Sequence, residues 1–237
     1  MKASSIQNSS PLMLYGFARS ADWSSEAIAD LEKQPGLFGS PMSVHATMGV
    51  IACTELISSL DLPRSSEYAL AYGTVIEERL SRNKPFIPCR FVTVLPSKEV
   101  LLSVLQQRTW ALSTLLDQLV ARQEYSLRIY WKSPHHETQA IHAHQGKSCT
   151  SPVSDLAVSK IASSIANCSF WSKDDSGTNG SLLYRGSFLI DDARLNECLG
   201  NLTTFQESYP NLSLLFLGPF PPYTYVAHAM GNLNTML

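Results

Sequence analysis

The chain has 237 residues, of which 44% are hydrophobic and 16% are charged, and its formal net charge at pH 7 is −2. This length and apolar content suffice for one to two compact cores, and the charged fraction lies below the roughly 25% of an average globular protein. The 18 basic residues are mixed with the 20 acidic ones along the chain. No basic stripe follows a phosphate backbone, and we expect no nucleic-acid partner.

Cysteine usage and the length of the apolar runs indicate the cellular setting. The five cysteines are scattered and include no Cys-x-x-Cys pair, which excludes a disulfide framework and a zinc ribbon and favours a reducing cytoplasm. The N-terminal stretch MKASSIQNSSPLMLYGFA has one lysine and a short apolar segment, too weak for a signal peptide. Apolar runs break well before the roughly 20 residues of a membrane helix, so we expect no membrane span.

The N-terminal part of the chain begins with a predicted strand at residues 12–18. Ala27, Ile28 and Leu31 follow at helical spacing and predict a helix. In residues 44–53, Met48, Val50 and Ile51 suit a strand that follows a turn near Gly49.

Two further helices are predicted from their capping serines. Ser65 or Ser66 caps one of them, and Ser97 caps the clearest helix of the chain, in which leucines recur at helical spacing. Residues 85–95 between them are apolar and β-branched but contain two prolines, so we predict a strand that begins near Cys89. These elements predict an N-terminal α+β domain of residues 1–122.

Residues 123–218 form a second complete pattern. Apolar and polar side chains alternate over 124–131 and predict a half-buried strand. A helix follows from about Asp155, then a hairpin of strands 169–173 and 181–190, a helix capped by Asp191 or Asp192, and a strand at 212–217. The order βαββαβ predicts a ferredoxin-like domain with an insertion after its first strand.

The predicted insertion is rich in histidine. His135, His136, His142 and His144 are close enough in sequence to gather a metal ion. The segment HETQA does not complete a zincin helix, however, because its fifth residue is Ala140. A loose metal site and a solvated loop both remain as interpretations, and we favour the loop.

Other catalytic signatures are missing from the sequence. Neither GxGxxG, GxxxxGK[ST] nor GxSxG occurs, so phosphate-cradle and hydrolase interpretations have no support. Residues 174–180 lack the ligand spacing of a calcium loop and fit a hairpin turn. Cys53, Cys89 and Cys198 lie in apolar or helical stretches typical of buried packing residues. We therefore predict no catalytic residue, cofactor or metal.

The C-terminal residues 218–237 contain no Asp, Glu, Lys or Arg. Their aromatic and aliphatic side chains carry apolar area worth about 25 cal/mol per Å² when buried, so residues 219–237 are predicted to dock as an apolar tail. The prolines predict an extended, polyproline-like conformation. Docking between the two domains and contact with a partner are both open. The candidate docking or partner-binding residues are Gly218, Pro219, Phe220, Pro221, Pro222, Tyr223 and Tyr225.

Four segments of the chain resemble the gas vesicle protein F/L family. They are LYGF at 14–17, PFIPCRFVTVLPSKEV at 85–100, EYSLRIYW at 124–131 and GPFPPY at 218–223. The family pattern has a glycine where this chain has Val92 and a tryptophan where it has Phe220. The loss of that glycine predicts a backbone without positive φ at Val92.

The resemblance implies a non-enzymatic minor component of gas vesicles. It implies a cytoplasmic protein that binds the main shell protein and other accessory proteins during vesicle nucleation and growth. A low-charge surface with apolar patches and sheet edges suits such a role, and we expect the chain to keep the shell protein from aggregating. The competing hypothesis is a small-ligand or metal-dependent enzyme on a ferredoxin-like fold, because a fold does not fix a function.

Overall fold

The structure, a computed structural model, describes residues 10–81, 84–132, 152–175 and 181–231. The chain forms two compact units, which we call unit 1 (Met1–Val120 with Pro221–Leu237) and unit 2 (Ala121–Phe220). Each unit contains helices and an antiparallel sheet. This mixture confirms the predicted α+β class.

The elements are numbered in chain order through both units. The strands are β1 (Leu12–Arg19), β2 (Met42–Thr47), β3 (Val50–Leu56), β4 (Phe86–Pro88), β5 (Val94–Leu95), β6 (Arg122–Trp131), β7 (Trp171–Asp174), β8 (Leu182–Asp191) and β9 (Leu212–Phe220). The helices are α1 (Ser25–Glu32), α2 (Ser66–Val75), α3 (Lys98–Gln118), α4 (Pro152–Cys168), α5 (Leu195–Ser208) and α6 (Tyr223–Ala229).

Strand β1 lies inside the sheet of unit 1, whose order is β2-β3-β1-β4, with β5 also paired to β1. The predicted strand at 12–18 is confirmed, and each of these seven residues is buried. Met13, Tyr15 and Ala18 belong to a core cluster that includes side chains of α1 and α2. Leu14 and Phe17 alternate with them and face the opposite side, on which α3 packs.

A hairpin joins β2 to β3. Its turn is made by Met48 and Gly49, whose φ angles are 50° and 84°. Positive φ at both central residues is typical of a two-residue hairpin turn. The predicted turn near Gly49 and the strand after it are confirmed. Strand β2 itself was not predicted.

The serine caps of α2 and α3 are also confirmed. The Ser65 hydroxyl accepts a hydrogen bond from the Tyr68 backbone N–H at 3.3 Å, and the Ser97 hydroxyl accepts one from the Val100 N–H at 3.4 Å. The leucine stripe of α3 is buried as predicted, and its members are Leu101, Leu105, Leu112, Leu115 and Leu116. Helix α2 continues as a π-helical turn, Ile76–Leu80.

The strand predicted to begin near Cys89 is wrong. Strand β4 ends at Pro88, one residue earlier. In the described sheet β4 is an edge strand, where a proline that cannot donate a hydrogen bond is tolerated. The chain then leaves the sheet in a turn and returns only for β5.

That turn overturns the expectation for Val92. Its φ is 69°, in the left-handed region that a valine seldom adopts. The Thr93 N–H and hydroxyl both donate to the Arg90 carbonyl, at 3.1 and 2.8 Å, and close a four-residue turn. Positive φ at the third residue belongs to the turn types that favour glycine at that position, and the backbone adopts it here despite the β-branched side chain.

Unit 2 has the element order β6-α4-β7-β8-α5-β9, and its antiparallel sheet has the order β7-β8-β6-β9. One face of this sheet packs with α4 and α5 around a core that includes Leu127, Ile129, Ile161 and Phe188. The predicted alternation in residues 124–131 is thereby confirmed. Glu124 of β6 is paired in register with Phe220 of β9, so the chain enters and leaves unit 2 at neighbouring points.

The predicted cap of α5 is wrong. Asp191 still belongs to β8, a short 3-10 turn follows it, and α5 begins at Leu195 without a side-chain cap. The Asp191 carboxylate instead accepts a hydrogen bond from the Arg122 guanidinium at 2.7 Å. This charged partner from β6 could not be seen in the local sequence.

Several sequence predictions fall outside the described residues. These are the histidine-rich insertion with His135, His136, His142 and His144, the middle of the hairpin loop at 176–180, and the last six residues of the tail.

We expect Val92→Gly to be more stable than Val92→Ala by about 1 kcal/mol, because a left-handed backbone costs an L-residue about 1–2 kcal/mol. Both variants remove the two γ-methyl groups of Val92 and differ from each other by Cβ alone, so a more stable glycine variant reports the backbone strain. The measurement is urea denaturation of the full chain. At the control position Val94, in β5, the alanine variant should instead be more stable than the glycine variant by about 0.5–1 kcal/mol. A lower stability of Val92→Gly than of Val92→Ala would contradict backbone strain at position 92.

Candidate partner-binding surfaces

The predicted docking segment divides into an exposed and a buried part. Residues 218–220 complete β9 and are exposed, with Phe220 at 40%. Pro221 and Pro222 are buried, and α6 begins at Tyr223. The predicted extended conformation through Tyr223 is therefore wrong, because a proline is well accommodated at the start of a helix and α6 begins directly after Pro222.

The two tyrosines of the segment lie within unit 1. Tyr225 is buried, and its hydroxyl donates to the Gln118 side-chain oxygen at 2.7 Å. Tyr223 packs against the core cluster of unit 1, and burial raises the pKa of its phenol. Val226, one residue after Tyr225, is also buried. Helix α6 thus completes the core of unit 1.

A buried carboxylate organises the sheet of unit 1. Glu55 is fully buried, and its Oε2 accepts a hydrogen bond from the Tyr15 hydroxyl at 2.8 Å. Its Oε1 accepts from the backbone N–H groups of Phe38 and Ser40, at 2.8 and 3.1 Å. The Tyr15 oxygen in turn accepts from the Leu37 N–H at 2.8 Å. A buried carboxylate needs such donors. These hydrogen bonds connect the loop before β2 to strands β1 and β3.

A second tyrosine extends this network. The Tyr72 ring stacks on Tyr15, with centroids 5.3 Å apart. Its hydroxyl lies 2.9 Å from the Cys89 carbonyl oxygen and 3.1 Å from that of Tyr15, so it donates to the backbone. Burial raises the pKa of both phenols and keeps them protonated as donors. Burial also raises the pKa of the Cys53 and Cys89 thiols to about 12, as expected for packing residues.

Two exposed apolar side chains lie elsewhere on unit 1, one on the β2–β3 hairpin and one on α3. Met48 at the tip of the β2–β3 hairpin is 74% exposed, and Trp110 on α3 is 81% exposed. The Thr109 hydroxyl lies 4.0 Å from the Met48 sulfur, which brings the hairpin tip next to this turn of α3. We call Met48, Thr109 and Trp110 the Met48–Trp110 patch.

Sequence reasoning did not identify Glu55 or the Met48–Trp110 patch. The signal for Glu55 is a single carboxylate inside the apolar strand VIACTEL. The signal for Trp110 is its position in α3, which lies off the leucine stripe and so faces away from the sheet.

The described part of the chain has neither a cluster of metal-ligating side chains nor a membrane-spanning helix. There, no group of three or more His, Cys, Asp or Glu side chains stands close enough to hold a metal ion. Within the same residues no helix is both long and apolar enough to cross a bilayer.

The chain matches a known protein family. The family described as gas vesicle synthesis protein GvpL/GvpF matches residues 11–152, more than half of the chain. No curated protein matches the chain by sequence.

Two solved structures are similar to the chain. The crystal structure of the gas vesicle protein GvpF from Anabaena sp. superposes with a TM-score of 0.72 at 17% identity, covering 92% of this chain and 96% of that one. GvpF from Microcystis aeruginosa gives a TM-score of 0.66 at 14% identity, covering 91% and 98%. At these identities the likeness shows a shared fold.

We expect Tyr15→Phe to lower the free energy of unfolding by about 1–3 kcal/mol, because the Glu55 carboxylate and the Leu37 N–H both lose a partner inside the core. Tyr68→Phe is the matched control, since the Tyr68 hydroxyl has no hydrogen bond to any described residue, and it should change stability by less than about 0.5 kcal/mol. Urea denaturation measures both. Equal losses in the two variants would refute the network's contribution.

We expect Tyr225→Ala to lower the free energy of unfolding by about 3–5 kcal/mol, the usual cost of removing a buried aromatic ring. Ala229→Ser, on the exposed side of α6, should stay within about 0.5 kcal/mol of the parent. Circular dichroism during urea denaturation provides the measurement. An unchanged urea midpoint for Tyr225→Ala would mean that α6 does not support unit 1.

Proposed function

Because the chain belongs to the gas vesicle synthesis protein GvpL/GvpF family, we propose that it is a minor, non-enzymatic gas vesicle component and assembly factor. In this proposal it works in the cytoplasm and at the gas vesicle. It binds the main hydrophobic shell protein and other accessory proteins during nucleation and growth, and it prevents aggregation of the shell protein before assembly.

The Met48–Trp110 patch is the observation that carries this proposal. Tryptophan and methionine are enriched in the cores of protein interfaces, and methionine adapts to apolar partners of different shape. Met48 also occupies a left-handed turn position that favours Asn or Gly. Methionine at this exposed position is unfavourable for the turn itself. Its presence there supports a binding role.

The predicted docking residues have two roles in this proposal. Phe220, with Gly218 and Pro219, contributes a second apolar contact, which its 40% exposure supports. The following residues, Pro221 to Tyr225, act inside unit 1 by completing its core. The burial of Pro221, Pro222 and Tyr225 supports that role.

We also propose that the two units are domains and that unit 2 has a ferredoxin-like fold. The order βαββαβ and the sheet order β7-β8-β6-β9 support this assignment. The boundaries then fall at residues 121 and 220, and the tail belongs to the first domain. The enzyme alternative has no supporting geometry in the described residues, and its candidate histidines lie outside them.

Trp110→Gln and Met48→Asn test the binding role. Each should weaken capture of the shell protein about tenfold or more, because truncating an interface hot spot costs about 2 kcal/mol or more. Met48→Asn should leave thermal stability unchanged or raise it, since asparagine tolerates the left-handed turn. The measurements are a pulldown titration with the purified full chain and the soluble fraction of the shell protein on co-expression.

Leu70→Gln is the control, because Leu70 is 74% exposed on α2, outside the patch, and its loss should not affect capture. The proposal fails if the parent chain neither captures the shell protein nor keeps it in solution. The assignment to the Met48–Trp110 patch fails if Leu70→Gln weakens capture as much as Trp110→Gln.

A further inference from the structure

The sheet of unit 2 has a second face, opposite to α4 and α5, that carries closely spaced arginines. Leu127 and Ile129 of β6 point into the helical side of the sheet, so Arg128 between them points to the other side. Arg128 is directly opposite Arg185 of β8 and directly opposite Leu215 of β9. Directly opposed side chains in an antiparallel pair have Cβ atoms about 5 Å apart. We call Arg128, Arg185 and Leu215 the arginine face.

The charges on this face are not balanced. Arg185 donates from Nε to the Asp175 carboxylate at 3.1 Å. The Nε of Arg128 is buried without a hydrogen-bond partner, and no carboxylate of the described residues lies within ion-pair distance of Arg128. Lys173 of β7 lies one row away, opposite Ser187. Like charges placed directly opposite each other are destabilising, and an anion bound between the two guanidinium groups relieves that repulsion.

Apolar side chains lie on the β9 side of the arginines. Leu215 is 40% exposed, and Leu217 and Tyr130, in the neighbouring positions of the same face, are half-buried. Strand β9 carries no charged residue. A ligand for this face therefore combines an anionic group with apolar side chains beside it.

The outer edge of β9 is partly closed, which favours binding across the face over addition of a strand. The Gln206 amide of α5 donates to the Leu212 carbonyl at 2.8 Å, and its oxygen accepts from the Leu214 N–H at 3.2 Å. These bonds occupy backbone groups that an added strand would need.

From this arrangement we propose that the arginine face binds an acidic amphipathic segment of a partner protein. An Asp or Glu carboxylate of the partner sits between Arg128 and Arg185, whose planar forks suit bidentate carboxylate bonds. An apolar side chain of the partner packs on Leu215. The face offers only a few cations and has apolar surface beside them, which favours a protein carboxylate as ligand. A nucleic acid would need a longer row of basic residues along its phosphate backbone. This site lies in unit 2 and is independent of shell-protein binding by the Met48–Trp110 patch.

The test uses the full chain and a fluorescein-labelled peptide of alternating leucine and glutamate. Fluorescence anisotropy should show binding that weakens with rising salt. Arg128→Gln and Arg185→Gln should each reduce the affinity about tenfold. Arg64→Gln, an exposed arginine of unit 1, and Trp110→Gln should leave it unchanged. A peptide with glutamine in place of glutamate should bind at least tenfold more weakly.

Three results would overturn the proposal. One is an affinity for the acidic peptide that is equal in the parent, Arg128→Gln and Arg185→Gln chains. Another is an equal loss in the Arg64→Gln control. The third is arginine-dependent binding to polyuridylate or to phosphatidylserine vesicles that is tighter than binding to the peptide. Thermal melting accompanies each variant, and Arg185→Gln, at a half-exposed side chain, decides the outcome if Arg128→Gln does not fold.

Discussion

A strand that is buried on both faces needs other elements of the chain to pack against each face. Strand β1 imposes this condition on unit 1, because its side chains from Leu12 to Ala18 are all buried. Helices α1 and α2 cover one face and α3 covers the other. Tyr223 of α6 also packs against the core on the first face. The C-terminal helix therefore contributes to the cover of the first strand.

The Glu55 carboxylate places a second condition on the same sheet. A buried charge is tolerated only where hydrogen-bond donors converge on it, and Glu55 receives them from Tyr15 and from the loop before β2. The loop comes so close that a Cβ at Gly36 would lie 2.3 Å from the Glu55 carboxyl carbon. The conformation of this loop is thus set by an electrostatic requirement of the core, and glycine is the residue that fits.

Sequence periodicity predicted the elements whose cause is local: β1, the leucine stripe of α3, the serine caps and the alternating strand β6. It failed where a residue far away in the sequence determines the local structure. Asp191 suits a helix cap but pairs with Arg122, 69 residues earlier. Val92 suits a strand, yet it has a left-handed backbone at the third position of the turn closed by Thr93. The partners of Glu55 and the contact between the β2–β3 hairpin and α3 are long-range in the sequence, so a linear pattern does not contain them.

The pairing of Glu124 with Phe220 closes unit 2 on a continuous stretch of chain. Unit 1, by contrast, takes residues from both ends of the sequence. During synthesis on the ribosome, where folding proceeds from the N-terminus, unit 2 can finish first although it is made later than the strands of unit 1. The apolar core around β1 lacks the side chains of α6 until that helix emerges. A premature stop between Phe220 and α6 therefore yields a chain with a complete unit 2 and a unit 1 core without Tyr225 and Val226, a state that chaperones and proteases recognise.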